Sequence, residues 1–179
     1  MSFFVSQPFT TPPDQYQTPS QQRVYELLAQ HNIAFVRVDT DDGSTMEACA
    51  HIARALGCPV VKTIFLCNRQ QTRFYLYVTD ADRPFVTRDF CAALSIPRVS
   101  FAQPDLLWSK LGTRVGATTA LSLFNDTDQT VTLVLDRAVA ERPLFACTDA
   151  TNTSFLRLPT SALLDSYLPR VGHAPLIID

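Results

Sequence analysis

The chain has 179 residues, 46% of them apolar and 18% charged, with a formal charge of −2 at pH 7 and a pI near 5.9. These values describe one globular domain with a substantial core and exclude a disordered chain. They also exclude a polycation that grips nucleic acid with its whole surface, and no apolar run approaches the roughly 20 residues of a membrane span.

Residues 1–20 are rich in Pro, Gln, Thr and Ser and read as an extended arm; residues 21–179 read as the folded domain. Ser20 is expected to cap a helix that runs to about Gln30, with Val24, Leu27 and Leu28 on its inner face. Residues 33–38 alternate like a strand. Ser44 or Thr45 caps a second helix, which Gly57 ends. Residues 60–67 and 73–78 form a hairpin around a polar turn. A helix over 87–94, a short strand over 98–101 and a helix over 104–111, closed by Gly112, follow. Residues 120–124 and 130–135 are expected to form a second hairpin. Strands over 144–147 and 154–158 flank a polar loop, Pro159 opens a last helix, and residues 176–178 form a last strand. Hairpins mixed with helices indicate an α+β fold with a mixed, largely antiparallel sheet.

Five cysteines are scattered without a CxxC pair, which argues against a disulfide framework and a zinc site and for a reducing, cytoplasmic setting. The N-terminus lacks the basic start and long apolar stretch of a signal peptide.

Lysine is the odd residue. There are two, against thirteen arginines, and Lys62 lies inside Val60-Val61-Lys62-Thr63-Ile64-Phe65-Leu66. Both faces of this strand are apolar, so it reads as central. Burying an ammonium costs several kcal/mol unless something anionic or hydrogen-bonding meets it. Two readings stand: a strand-end lysine whose stem packs while its amine reaches water, or a cation held for a phosphate, carboxylate or developing oxyanion. A second feature is the loop Leu111-Gly112-Thr113-Arg114-Val115-Gly116-Ala117. Two glycines four apart can turn the chain and aim N–H groups at an anion or carbonyl; equally, Gly112 can close a helix and the rest connect it onward. The third is Cys147-Thr148-Asp149-Ala150-Thr151-Asn152-Thr153-Ser154, a polar loop between strands that is either functional or a solvated turn. His31, His51 and His173 show no catalytic spacing, and Cys147 reads as a buried structural thiol.

These three features, in this order, resemble the YbaK/prolyl-tRNA editing family of aminoacyl-tRNA deacylases, most closely its freestanding prolyl-tRNA deacylase branch. The lysine strand and its partner Phe74-Tyr75-Leu76-Tyr77-Val78, the Gly112–Gly116 loop running on to Asn125-Asp126, the strand Val131-Thr132-Leu133-Val134-Leu135-Asp136 and the Asn152-Thr153 loop carry the resemblance over residues 20–178. Four positions depart from the family pattern. Thr63 replaces an Asn, Val115 replaces the Pro of the glycine loop, and Thr148-Asp149 replace a His-Pro pair.

The resemblance implies a partly barrel-like sheet surrounded by helices. It implies hydrolysis of the ester of a mischarged tRNA, with Ala or another small amino acid on tRNA(Pro), without metal or cofactor. Lys62 and Gly116 are the implied catalytic residues. Thr63, Gly112, Thr113, Arg114, Val115, Thr148, Asn152 and Thr153 are the implied substrate contacts. In that scheme Lys62 grips the terminal phosphate or ribose, the glycine loop holds the aminoacyl carbonyl, and the ribose hydroxyl assists the water. The implied partners are the aminoacyl-tRNA 3′ end and an aminoacyl-tRNA synthetase, with no membrane. The alternative is a catalytically inactive module of the same fold that binds an acceptor end, a nucleotide or a synthetase.

Overall fold

The computed structural model describes residues 2–179. In chain order its elements are α1 (Pro19–Gln30), β1 (Val36–Asp39), α2 (Met46–Leu56), β2 (Val61–Cys67), β3 (Phe74–Asp80), α3 (Thr87–Leu94), β4 (Ser100–Phe101) and α4 (Pro104–Leu111). A 3-10 turn (Ala120–Asn125) leads to β5 (Val131–Asp136), α5 (Arg137–Ala140), β6 (Leu144–Thr148) and β7 (Ser154–Pro159). A short α6 (Thr160–Ala162), a π-helical turn (Leu163–Tyr167) and α7 (Leu168–Arg170) precede β8 (Leu176–Ile178). No helix among the described residues is long and apolar enough to cross a membrane.

The strands form two sheets, ordered β1-β7-β6 and β4-β2-β3-β5-β8. All pairings are antiparallel except β3 with β5 and β5 with β8. A single bridge between Val60 and Ala146 joins the sheets. They lean on one another there and do not close, so the rolled sheet implied by the resemblance is an open pair instead.

Alternation along β2 and β3 organises the interior. Phe65, Cys67, Phe74, Leu76 and Val78 face the main core with α1, β5, β6 and β7. Ile64, Leu66, Tyr75 and Tyr77 face a second cluster built on Phe90 of α3. Both faces of β2 are thus covered, as its composition predicts. Its edges differ along its length. β4 pairs only with Leu66 and Cys67, so the Lys62 end has β3 alone beside it in the sheet. The strand is central at one end and an edge at the other.

Local signals place most helix ends. Thr45 accepts from Ala48 N (3.1 Å), and Gly57 and Gly112 close α2 and α4 in the left-handed region. The first helix starts two residues earlier than Ser20 would place it. Thr18 caps it, accepting from Gln21 N (3.0 Å), with Pro19 in the first turn; proline's missing N–H costs nothing there. The expected second hairpin does not form. Residues 120–125 coil into the 3-10 turn, started by the Thr119 hydroxyl accepting from Leu121 N, and β5 joins its sheet through parallel pairing with β3 and β8.

The N-terminal arm is docked. Phe9 N donates to Arg37 O, and Arg37 N to Phe9 O, both at 2.8 Å. Arg37, 5% exposed, lies over the Phe9 ring and donates to Thr11 O (2.7 Å) and to Asp39 (2.6 Å).

Candidate functional site

The sequence-predicted residues gather around one loop, but on its two sides. Ala117 N donates to Arg114 O (3.0 Å), turning residues 113–117 back on themselves. The backbone hydrogen bonds among the described residues leave the N–H groups of Thr113, Arg114, Val115 and Gly116 unengaged. On one side is a cavity of about 200 Å3 that includes Lys62, Thr63, Gly116 and Thr148, with Cys49 and Phe155 among its apolar walls. On the other is a cleft of about 510 Å3 that includes Gly112, Thr113, Arg114, Val115 and Asn152. Thr153 lines neither; its hydroxyl accepts from Gln17 Nε2 (2.8 Å). The residues therefore do not converge on one cavity. They form two, which share the 112–118 loop as a wall.

Gly116 has φ +88°, and a Cβ there would stand 3.2 Å from Ser44 Cβ, in the small cavity, and 3.9 Å from Asn152 Cβ, in the larger cleft. Both the dihedral and the close approach to Ser44 select glycine. Gly116→Ala is expected to destabilise the fold by about 1–2 kcal/mol. Thermal denaturation against the wild type measures the loss.

Lys62 and Thr63 point to opposite faces of β2, yet both line the small cavity because it sits at the strand's open end. Lys62 is half-buried and forms no ion pair among the described residues. Its amine donates to the backbone carbonyl of Arg83. The Arg83 side chain in turn pairs with the buried carboxylate of Asp136, which also accepts from Thr79 Oγ1 (2.8 Å) and Ala138 N (3.0 Å). Burial alone would raise the Asp136 carboxyl, but these hydrogen bonds outweigh it and hold it below its ordinary value. Asp136 thus stays anionic and fixes Arg83, while Lys62 keeps its charge free at the cavity wall.

The polar loop after β6 is built on Thr148 and Asp149. Thr148 donates to Ala117 O (3.0 Å), tying β6 to the glycine loop. Asp149 is fully buried and accepts from Gln21 Nε2 (2.9 Å), Tyr25 Oη (2.8 Å) and Thr151 Oγ1 (2.7 Å), which pins the loop to α1. Burial pushes its carboxyl above the ordinary range despite these donors. Asn152 donates to Asp42 (2.9 Å), and Gly43 N donates to Asn152 O (2.8 Å). A Cβ at Gly43 would fall 2.4 Å from the Phe155 ring, so glycine alone lets the 41–45 loop lie this close to β7.

A family model, the aminoacyl-tRNA editing domain, matches residues 40–166. The chain belongs to this family. It is also similar to "Prolyl-tRNA synthetase associated domain-containing protein 1" of Danio rerio, 29% identical over 160 residues, covering 88% of this chain and 86% of the relative. Among solved structures, a candidate trans-editing enzyme for prolyl tRNA synthetase superposes with TM-score 0.67 at 16% identity, over 92% of this chain and 99% of its own. A hypothetical protein superposes with TM-score 0.66 at 17% identity, over 87% and 98%. At these identities the two structures speak for the fold.

Within this editing domain, the cavities carry neither imidazole nor carboxylate. His31 caps α1, His51 packs near Phe3, and His173 is buried beside Asp126. Cys147 is fully buried, and burial pushes its thiol up to about 12, which removes it as a nucleophile at neutral pH. Sequence reasoning missed Asp42, Gly43 and Asp149. The stretch Asp41-Asp42-Gly43-Ser44 carried a signal, a glycine among turn residues in a chain with five glycines, and Asp149 showed only as half of the pair that replaces a His-Pro, in a loop that reads equally as a solvated turn.

Proposed function

We propose that this editing domain is a trans-acting aminoacyl-tRNA deacylase that hydrolyses the ester of a small amino acid mischarged on tRNA, with tRNA(Pro) as the carrier. The observation that supports it most is the small cavity. Its about 200 Å3 are walled by Cys49, Val60 and Phe155, and its lining includes both an unpaired lysine and Gly116. Apolar walls of this size suit a small side chain, and a size sieve is needed because small apolar side chains differ by only about 1–3 kcal/mol in binding. The family and the relative's name, which joins it to prolyl-tRNA synthetase, support the choice of carrier.

In the reaction, water adds to the ester carbonyl carbon and the bond from that carbon to the ribose oxygen breaks. Free amino acid and a tRNA with its hydroxyl restored leave. The ester is already activated, so the protein's part is to position it and to stabilise the oxyanion. The unengaged N–H of Gly116, the loop residue that lines this cavity, is the donor for that oxyanion. Lys62 supplies the positive charge, against the terminal phosphate or ribose. With no side-chain base in the cavity, the neighbouring ribose hydroxyl relays the proton.

Incubation with a panel of mischarged tRNAs is expected to release Ala or another small amino acid and to spare large ones. Stable esters across the whole panel at high protein concentration would refute the enzyme. Retention of tRNA without release would instead identify a binding module, the reading that the replacements at Thr63, Val115 and Thr148 favour.

A further inference from the structure

Lys62 and its cavity leave the larger cleft without a task, although it is the roomier of the two. Its wall holds Trp108, the sole tryptophan of the chain, 49% exposed on α4. The Arg114 guanidinium lies over this indole at 5.0 Å from the ring centroid. The lining also includes Gln17, Thr18 and Pro19, where the docked arm turns into α1. Arg114 is the only charged residue among those lining the cleft. Thr113, 1% exposed, lies in the lining with a hydroxyl that has no hydrogen-bond partner.

We propose that this cleft is a nucleobase site that takes the terminal adenine of the tRNA 3′ end, stacked on the Trp108–Arg114 platform. Three features choose this ligand. An exposed indole capped by a guanidinium offers flat π surfaces and positive charge together, which is what unstacked bases use on proteins. The volume of about 510 Å3 falls in the range of roughly 300–1,000 Å3 typical of small-molecule sites. The spacing also fits, because the base and the ester of one nucleotide are separated by a single ribose. The two cavities share the 112–118 loop as a wall, with Val115 and Ala117 lining the larger and Gly116 and Thr118 the smaller. An aminoacyl group beside Gly116 and a base against Trp108 span one nucleotide across this wall. Only the identity of the nucleotide rests on the deacylase reading; the stacking site itself does not.

Trp108 reports directly on the proposal, since no other indole contributes to the fluorescence. Titration with the trinucleotide CCA, or with adenosine monophosphate, is expected to quench Trp108 saturably, and ribose 5-phosphate is expected to leave it unchanged. Equal quenching by ribose 5-phosphate would mean a phosphate site and overturn the assignment. Anisotropy of 5′-fluorescein-labelled CCA should show Trp108→Ala binding about 10- to 100-fold more weakly, the usual loss for one stacked base. Arg114→Ala should weaken binding in the same direction. In deacylation, Trp108→Ala should raise KM by the same factor with kcat unchanged, a split that marks lost binding common to ground and transition states. Release of amino acid with a wild-type KM in Trp108→Ala would overturn the base site and leave the deacylase intact. Quenching that Arg114→Ala weakens, with every mischarged tRNA stable, would keep the base site and sink the enzyme.

Discussion

Lys62→Ala is expected to slow amino-acid release by about 10²- to 10³-fold, the usual loss when one preorganised electrostatic contact is removed from developing charge, here that on the departing ribose oxygen. The melting temperature should stay at the wild-type value. The two expectations together separate a functional cation from a packed one. The amine forms no ion pair, and its hydrogen bond goes to the carbonyl of Arg83 at an exposed position. Water can replace that partner, so the folded state loses little. The substrate loses the only cation in the small cavity. Lys62→Arg should not rescue the rate, because a planar fork is a different shape from a compact ammonium and the cavity is small. Single-turnover deacylation with thermal melts of the three proteins decides the matter. Full activity in Lys62→Ala would leave the lysine a structural residue with its head in solvent.

Asp149→Ala should produce the largest loss of stability of any substitution near the site, about 3 kcal/mol or more, because each stranded buried donor costs about 1–3 kcal/mol. Three are stranded at once, on Gln21, Tyr25 and Thr151, and Gln21 and Tyr25 are almost fully buried. Freed from α1, residues 148–153 no longer hold Asn152, and both cavities lose a wall. The carboxyl also predicts a pH dependence. Its folded value is pushed by burial above the ordinary 3.8, so the folded state holds the proton more tightly than the unfolded state. The stabilising contribution is complete below pH 3.8 and is lost as pH rises through the folded value. Asp149→Asn removes this titration while keeping an acceptor for the donors. Urea unfolding of wild type and Asp149→Asn from pH 4 upward should show a decline in the wild type that the variant lacks. Parallel curves would remove Asp149 as its source.

Elements bounded by local chemistry were legible. The β2–β3 hairpin, α2 between Thr45 and Gly57, and α4 ending at Gly112 follow from caps, turn residues and alternation. Residues 120–125 were misread because their apolar run fits a strand or a buried turn equally. The choice is made by the Thr119 cap and by the parallel neighbours of β5, which come from distant parts of the chain. At the site, the glycine loop and the Asn152 loop were visible as loops that meet. That they line two cavities was not, because only the tertiary arrangement puts Val115 and Ala117 on one and Gly116 and Thr118 on the other. Gln17 and Trp108 carried no signal for a related reason: one lies in the extended arm and the other within the helix over 104–111. Only the tertiary arrangement places them in the lining of one cleft.

The shared wall has a consequence for how such a protein can diversify. Successive residues of the 112–118 loop serve different compartments, Val115 and Ala117 the larger, Gly116 and Thr118 the smaller. A shift of the backbone that widens one narrows the other. Amino-acid selectivity and grip on the nucleotide are then not independently adjustable traits. Replacements at Val115 and Thr63 should be strongly non-additive, each tolerable or harmful according to the other, so this lineage's path to a new substrate would run through paired rather than single changes.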